Sequence, residues 1–299
     1  MRGRIKVKFT TEKTVAVVRS RVALQQQVRA WKAAGETVGF VPTMGALHAG
    51  HISLVEKAKE FATRTVVSIF VNPTQFAPGE DFETYPRRED EDLALLMSAG
   101  CDAVYLPTVA EMYPDGSATD VRVNGMSDLL DGIYRPHFFY GVATVVARLF
   151  LHAQPDVAVF GEKDYQQLQI IRRMVHDLGF PIEIIGGETK RDADGLAQSS
   201  RNLYLSKEER QTAGAMFAAL HRAAMRLSRG SIPSDVLEES RSFLLTAGFR
   251  SVDYVALVDP GTLQALPADS PLPEGTKARL LGAAWLGRTR LIDNVSVKR

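Results

Sequence analysis

Two histidines three residues apart, His48 and His51, lie in the stretch Phe40-Val41-Pro42-Thr43-Met44-Gly45-Ala46-Leu47-His48-Ala49-Gly50-His51. Residues 38–41 are apolar and partly β-branched, as a buried strand requires, and Pro42 is expected to end that strand. Gly45 and Gly50 allow backbone to come close to a bulky group. From about Gly50 the pattern is helical, with Ile52, Leu54, Val55 and Ala58 on an apolar face and Glu56, Lys57 and Lys59 outside. The two imidazoles therefore share one side of a helix start. Backbone N–H groups and the positive end of the helix dipole point the same way, which makes a place for phosphate. A purely structural alternative has one histidine capping the helix and the other packing. His-x-Gly-His directly between strand and helix favours the phosphate reading.

Three further polar groupings follow strands or loops. Residues 65–71 form a near-continuous apolar run, the mark of a parallel strand covered on both faces, and it leads into Asn72-Pro73-Thr74-Gln75-Phe76. Residues 157–160 lead into Gly161-Glu162-Lys163-Asp164, with Gln166 and Gln167 on the first turn of the next helix. Gly161 permits close approach, Lys163 offers a point charge to phosphate oxygens, and Asp164 can cap the helix or accept a ribose hydroxyl. Gln198-Ser199-Ser200-Arg201-Asn202 brings two hydroxyls and a guanidinium, which suit the β- and γ-phosphates of a nucleotide. The acids Asp81, Glu83, Glu89, Asp90, Glu91 and Asp92 have no oxygen-cage spacing and read as a solvated helix start. No metal site is expected from side chains alone.

The elements that must position these groups alternate. Strands are expected at residues 15–18, 38–41, 65–71, 103–106, 157–160 and 182–185, with helices at about 22–34, 50–59, 87–99, 142–151 and 165–178. Such alternation gives a parallel sheet with right-handed crossovers, and its carboxyl edge gathers the loops above into one ligand site. After residue 187 the order changes: helices at about 207–229 and from Ser234, with Ser234 as cap, precede strands at 252–258, 278–285 and a short one at 291–292. The expected fold is α/β, a Rossmann-like parallel-sheet domain over 1–186 with a second, smaller α+β domain over 187–299 that closes over the site.

The 299 residues are 45% hydrophobic and 24% charged with a formal net charge of +1. A substantial core is available, and no global field favours nucleic acid or a membrane surface. No apolar run is long enough to span a bilayer. Residues 1–13 are basic but lack the apolar segment of a secretory signal, and they read as a frayed tail. The single cysteine, Cys101, cannot form an internal disulfide and suits a reducing cytoplasm.

Taken together, 42–51, Ile69 through Phe76, Tyr85-Pro86-Arg87, Phe160 through Leu168, 194–202, Ala283 through Gly287 and Arg290 through Asn294 resemble the pantothenate synthetase (pantoate–β-alanine ligase) family. That family lies in the His-x-Gly-His nucleotidyltransferase superfamily, and the likeness covers about residues 15–295. The resemblance implies an AMP-forming ligase: pantoate attacks the α-phosphorus of ATP, and β-alanine then attacks the pantoyl adenylate. It implies that Met44, Gly45, Ala46, Leu47, His48, Ala49, Gly50 and His51 bind ATP, with His51 the candidate acid and His48 holding phosphate. By the same likeness Gly161, Glu162, Lys163, Asp164, Lys190, Gln198, Ser199, Ser200 and Arg201 complete the nucleotide site. His51, His48, Lys163 and Arg201 are then the catalytic set, and Gln75 and Gln167 grip pantoate. Mg²⁺ would arrive with the triphosphate, and a cytoplasmic homodimer is implied.

Some positions depart from the family pattern. His137 stands one residue farther from Gly141 than usual, so no pantoate role is given to it. Lys190 replaces a small or apolar residue and adds a charge near the nucleotide. Other readings are a plain adenylyltransferase acting on a phosphate ester, which would not need paired Gln75 and Gln167, and an ATP-sensing module, which would have lost His51 or Lys163.

Overall fold

The computed structural model describes residues 15–299; the basic start at 1–13 lies outside the described residues. The first half runs β1 (Ala16–Val18), α1 (Arg21–Ala33), β2 (Val38–Thr43), α2 (Ala49–Lys59), β3 (Arg64–Ile69), α3 (Glu89–Ser98), β4 (Ala103–Tyr105) and the short α4 (Val109–Met112) and α5 (Asp131–Tyr134). It continues with α6 (Phe138–Ala153), β5 (Val157–Gly161), α7 (Tyr165–Leu178) and β6 (Glu183–Gly187). The six strands form one parallel sheet in the order β1-β4-β3-β2-β5-β6. Side chains alternate between its faces. Phe40, Val66, Tyr105 and Phe160 pack under α1, α6 and α7 with Leu24, Phe150 and Leu168. Val41, Val67, Val104 and Val159 face α2 and α3 with Val55 and Leu96. Burial on both faces explains why these strands read as unbroken apolar runs.

Chain order along the sheet reverses between β2 and β5: β3 and β4 lie to one side, β6 to the other. The crevice at such a reversal is where open α/β sheets take ligands. The turn after β2 and the turn after β5 both open onto it.

The second half runs α8 (Lys207–Ala213), α9 (Ala215–Ser228), α10 (Pro233–Ala247), β7 (Ser251–Val258), β8 (Lys277–Leu286) and β9 (Thr289–Lys298). Its three strands form an antiparallel sheet, β7-β8-β9, against which Leu220, Leu227, Val236, Leu244 and Phe249 pack. The fold is therefore a parallel α/β sheet joined to a smaller α+β unit, as the alternation and its later reversal in order imply.

Several local expectations are corrected. Pro42 does not end β2, which continues to Thr43 opposite β3; β5 has left the ladder after Phe40, so the bond that a proline cannot donate is not required there. The helix expected over 207–229 is broken at Gly214 into α8 and α9. Ser234 does not cap α10: Ile232 is the cap residue, Pro233 opens the helix, and the Ser234 N–H goes to the Ala268 carbonyl. The final strand is ten residues long rather than two.

One close approach fixes the loop after β3. Gly141, in the first turn of α6, lies against the 3₁₀ turn Pro73–Gln75, and a Cβ there would meet the Thr74 carbonyl oxygen at 2.5 Å. The Asn72 amide also donates to the Gly141 carbonyl at 3.1 Å. Gly141→Ala is expected to destabilise the protein by about 1–3 kcal/mol, because rigid backbone must move to admit the methyl. The urea midpoint measures this, and an unchanged midpoint would contradict the packing.

Candidate functional site

The turn after β2 is held by bonds that use both histidines. Residue 48 is the N-cap of α2; its Nδ1 accepts from the Gly50 N–H at 3.2 Å, and the His51 Nδ1 accepts from the His48 N–H at 3.3 Å. This reciprocal box satisfies two helix-start donors. The ring centroids are 4.1 Å apart. With both Nδ1 atoms accepting, each neutral ring carries its proton on Nε2, directed away from the backbone. Both histidines thus serve the helix start, and this capping fixes the rings' tautomer and direction.

Both rings are weak bases. Burial, then the nearby Lys163 charge, pushes His48 down to about 4. Burial, then His48 and Lys163, pushes His51 down to about 3. Two neutral imidazoles beside a lysine form a site that gains from a multiply charged anion and resists one more cation.

Ahead of the histidines, Gly45 has φ 84° and Ala46 φ 50°. This left-handed pair turns two N–H groups onto one carboxylate: Asp92 accepts from Ala46 N at 2.9 Å and Leu47 N at 2.7 Å. Asp92 is 2% exposed. The reading of residues 81–92 as wholly solvated is corrected here, and the Ala46 and Leu47 N–H groups already have an internal acceptor. The signal lay in spacing: Asp92 stands four residues before buried Leu96 and so shares its inward face.

Across the crevice, Lys163 and Asp164 follow β5, with Lys163 Nζ 3.7 Å from the Asp164 carboxylate. Asp164 occupies the N-cap position of α7 but makes no side-chain cap bond, contrary to one of its expected uses. The 161–164 turn is held from the smaller sheet. The Asn294 amide donates to the carbonyls of Glu162 at 3.0 Å and Lys163 at 2.8 Å, and Arg279 bonds Glu162 at 3.2 Å. These contacts join residues more than a hundred positions apart, and no local sequence signal assigns them.

Ser199, Ser200 and Arg201 come from the second half. Ser200 donates to the Ala46 carbonyl at 3.2 Å, tying this loop to the histidine turn. The Ser199 hydroxyl accepts from the Arg201 N–H. Arg201 pairs through Nε and Nη2 with both oxygens of Asp81, each at 3.1 Å. Gln198 bonds Asp192, while Lys190 is exposed and its carbonyl accepts from Gln198 N. Lys190, Gln198 and His48 line a recess of about 440 Å³.

A larger cleft of about 740 Å³ runs between the two sheets, lined by Lys163, Asp164, Gln167, Ser199 and Arg201, with Arg135 and Arg290. Gln75 does not line it: the residue is buried, donating to Met44 Sδ at 2.8 Å and accepting from Asn72 at 3.3 Å. Gln166 is structural, binding Asp131 N, Met126 O and Leu129 O. His137 is exposed and makes no cap bond at the start of α6. Unforeseen by sequence reasoning, Arg290 joins Asp131 and Asp253 at 2.7 Å each, and Tyr254 donates to Asp131 at 2.9 Å. This network forms the cleft wall between the halves.

The family model for pantoate–β-alanine ligase matches residues 16–296. The chain belongs to the pantoate–β-alanine ligase family. It is 75% identical to a pantothenate synthetase of Hyphomonas neptunium, covering 97% of this chain and 99% of that one. A Caulobacter vibrioides pantothenate synthetase is 52% identical over 94% and 98% of the two chains. A pantothenate synthetase structure from Thermus thermophilus superposes with a TM-score of 0.88 at 47% identity, covering 95% of this chain and all of that one. A Francisella tularensis pantoate–β-alanine ligase, described as complexed with β-γ ATP and β-alanine, gives a TM-score of 0.77 at 33% identity, with coverages of 94% and 97%. Membership makes the protein a ligase that acts on small-molecule substrates. Among the described residues no helix is long and apolar enough to cross a membrane.

The depressed histidines have a measurable consequence. Below their ordinary value of 6.5, the unfolded chain binds protons that the folded chain refuses. Their stabilisation is therefore complete above that value and declines as pH falls towards about 4 and about 3. His51→Asn, whose amide can accept the same backbone N–H, is expected to flatten the decline by roughly 1 kcal/mol per pH unit. Urea melts on both sides of the ordinary histidine value test this, and equal slopes for variant and parent would refute it.

Proposed function

We propose that the chain condenses (R)-pantoate with β-alanine in two ATP-dependent steps on the cleft between its sheets. In the first, a pantoate carboxylate oxygen attacks the α-phosphorus of ATP, the bond to the β-phosphate oxygen breaks, and pyrophosphate leaves. In the second, the β-alanine amine attacks the acyl carbon of pantoyl adenylate, the acyl–phosphate bond breaks, AMP leaves with the electron pair, and the amine loses a proton. No nucleophile of the protein is needed, so the site works by positioning and charge stabilisation.

The observation that carries this reading is the convergence at the β2/β5 reversal: two neutral Nε2–H histidines, Lys163 across the crevice, and Arg201 on a loop bonded to the histidine turn. Met44 to His51, Gly161 to Asp164, Lys190 and Gln198 to Arg201 receive the nucleotide. Lys163 neutralises charge that develops on phosphate oxygens. His48 and His51 donate from Nε2 to the triphosphate. Its negative charge raises their proton affinity and offsets their burial, which lets His51 serve as acid when nucleotide is present. Gln167 meets pantoate from the cleft wall, and Gln75 acts from beneath by supporting Met44.

Mg²⁺ accompanies the triphosphate. Among the described residues no three metal-ligating side chains cluster, and Asp164 beside Lys163 lies in the cleft wall. That donor set fits an ion held chiefly by phosphate oxygens, and when bound it supplies charge neutralisation. Residues 1–186 then form the nucleotide- and pantoate-binding domain and 187–299 the domain that closes over it. We further infer a cytoplasmic homodimer.

Pantoate-dependent exchange between pyrophosphate and ATP is expected without β-alanine; exchange indifferent to pantoate would overturn the adenylate route. His51→Ala is expected to slow adenylate formation by about two to four orders of magnitude, the range of a positioned acid–base group. Near-parental exchange in that variant would remove His51 from the catalytic set.

A further inference from the structure

The segment between the Pro73–Gln75 turn and Tyr85 carries two consecutive acids, Glu80 and Asp81, and each grips an arginine of the cleft. Glu80 takes the Nε and Nη2 of Arg135 at 2.8 and 2.7 Å. Asp81 takes the Nε and Nη2 of Arg201 at 3.1 Å each. The two pairs differ in what else fixes the arginine. Arg135 also donates to the Gln75 carbonyl and lies 3.8 Å over the Phe138 ring. Arg201 has its backbone secured by the 3₁₀ turn Ser200–Tyr204 and by the Ser200–Ala46 bond, whereas its guanidinium is oriented by Asp81.

We propose that Asp81 is a positioning residue that competes with the triphosphate for Arg201, and so sets how tightly the cleft retains ATP and pyrophosphate. This rests on the reading of Arg201 as a phosphate-binding residue. A carboxylate that fills the guanidinium fork presents two oxygens at the spacing that two phosphate oxygens would present. The same Nε and Nη2 donors cannot fully serve both. Asp81 also keeps a partner of its own, since the Tyr204 hydroxyl donates to Oδ2 at 3.3 Å. The carboxylate can therefore stay in place when the fork turns to phosphate, leaving two like charges close together. That repulsion weakens anion binding and favours the return of Arg201 to Asp81 as pyrophosphate departs. Before nucleotide arrives, the same pair keeps a partly exposed guanidinium from being left without a counter-charge.

The test measures inhibition by inorganic pyrophosphate, competing against ATP in the full-length enzyme. Asp81→Asn keeps the shape and the Tyr204 partner but removes the charge. It is expected to tighten pyrophosphate and lower the KM for ATP by roughly fivefold, the scale of one partly exposed ion pair, while the KM for pantoate stays unchanged. A merely structural role for Asp81 would loosen both anions instead. Asp81→Ser reads the same quantity should the asparagine variant not fold. Glu80→Gln, on the same segment, is expected to leave pyrophosphate affinity unchanged. Arg201→Gln separates the two levels. If it does not weaken pyrophosphate, the phosphate-binding reading of Arg201 fails; if it does, and folded Asp81→Asn binds pyrophosphate no tighter than the parent, the competition alone is overturned.

Discussion

A carboxylate buried beneath a left-handed turn is the constraint on which the site depends. Ala46 at φ 50° adopts a backbone conformation that a side-chain-bearing residue enters at a cost of about 1–2 kcal/mol. The two short bonds to Asp92 hold it there. Releasing that carboxylate would leave two inward N–H groups without an acceptor, and would let the segment carrying His48 relax. Because His48 caps α2 and His51 closes the box, ring direction, tautomer and helix start are one cooperative unit. Any anion recognition at this turn would draw on side chains as much as on backbone: the Ala46 and Leu47 N–H groups are already bonded, while the histidine Nε2 atoms are not used by the capping box.

The second constraint is that the two halves meet through polar contacts beside one apolar cluster, in which Leu130 and Tyr165 pack with Val258, Leu263 and Leu281. Ser200 to Ala46, Asn294 to the 162–163 carbonyls, Arg279 to Glu162 and Arg290 to Asp131 all cross from the second half of the chain to the first. Such bonds are directional, so they define register between the halves more sharply than apolar contact would. They are also easier to exchange with ligand groups than a packed core, since each donor can turn to another acceptor. A ligase that must admit and release several small molecules benefits from that combination.

Electrostatics ties the two constraints together. The histidines are neutral because burial and Lys163 disfavour a further cation, and Arg201 is neutralised by Asp81. In the proposed binding mode a polyanionic nucleotide would change both conditions at once, bringing negative charge to the imidazoles and Lys163 and offering Arg201 a second partner. On that proposal, affinity for nucleotide would reflect exchange of internal partners as well as new attraction.

Much of the architecture was legible in the sequence. Unbroken apolar runs at 38–41, 65–71 and 157–160 come from strands buried on two faces, and a helix period between them leaves little choice but a parallel sheet. The order of helices before strands after residue 187 likewise separated the second sheet. His48, His51 and Lys163 stood out because short motifs at strand-to-helix junctions have local geometry, whereas Arg201 lies in a polar loop whose signal was weak alone and gained its weight from the family resemblance. Tertiary structure alone decided what those residues touch. That Asp92 turns inward, that Asp81 meets Arg201, that Asn294 clasps the 162–163 carbonyls and that Gln75 lies beneath Met44 depend on packing between segments far apart in the chain. A sequence records propensity and period over a few turns; partners across a sheet reversal are chosen by strand order and by the need to satisfy every buried polar group.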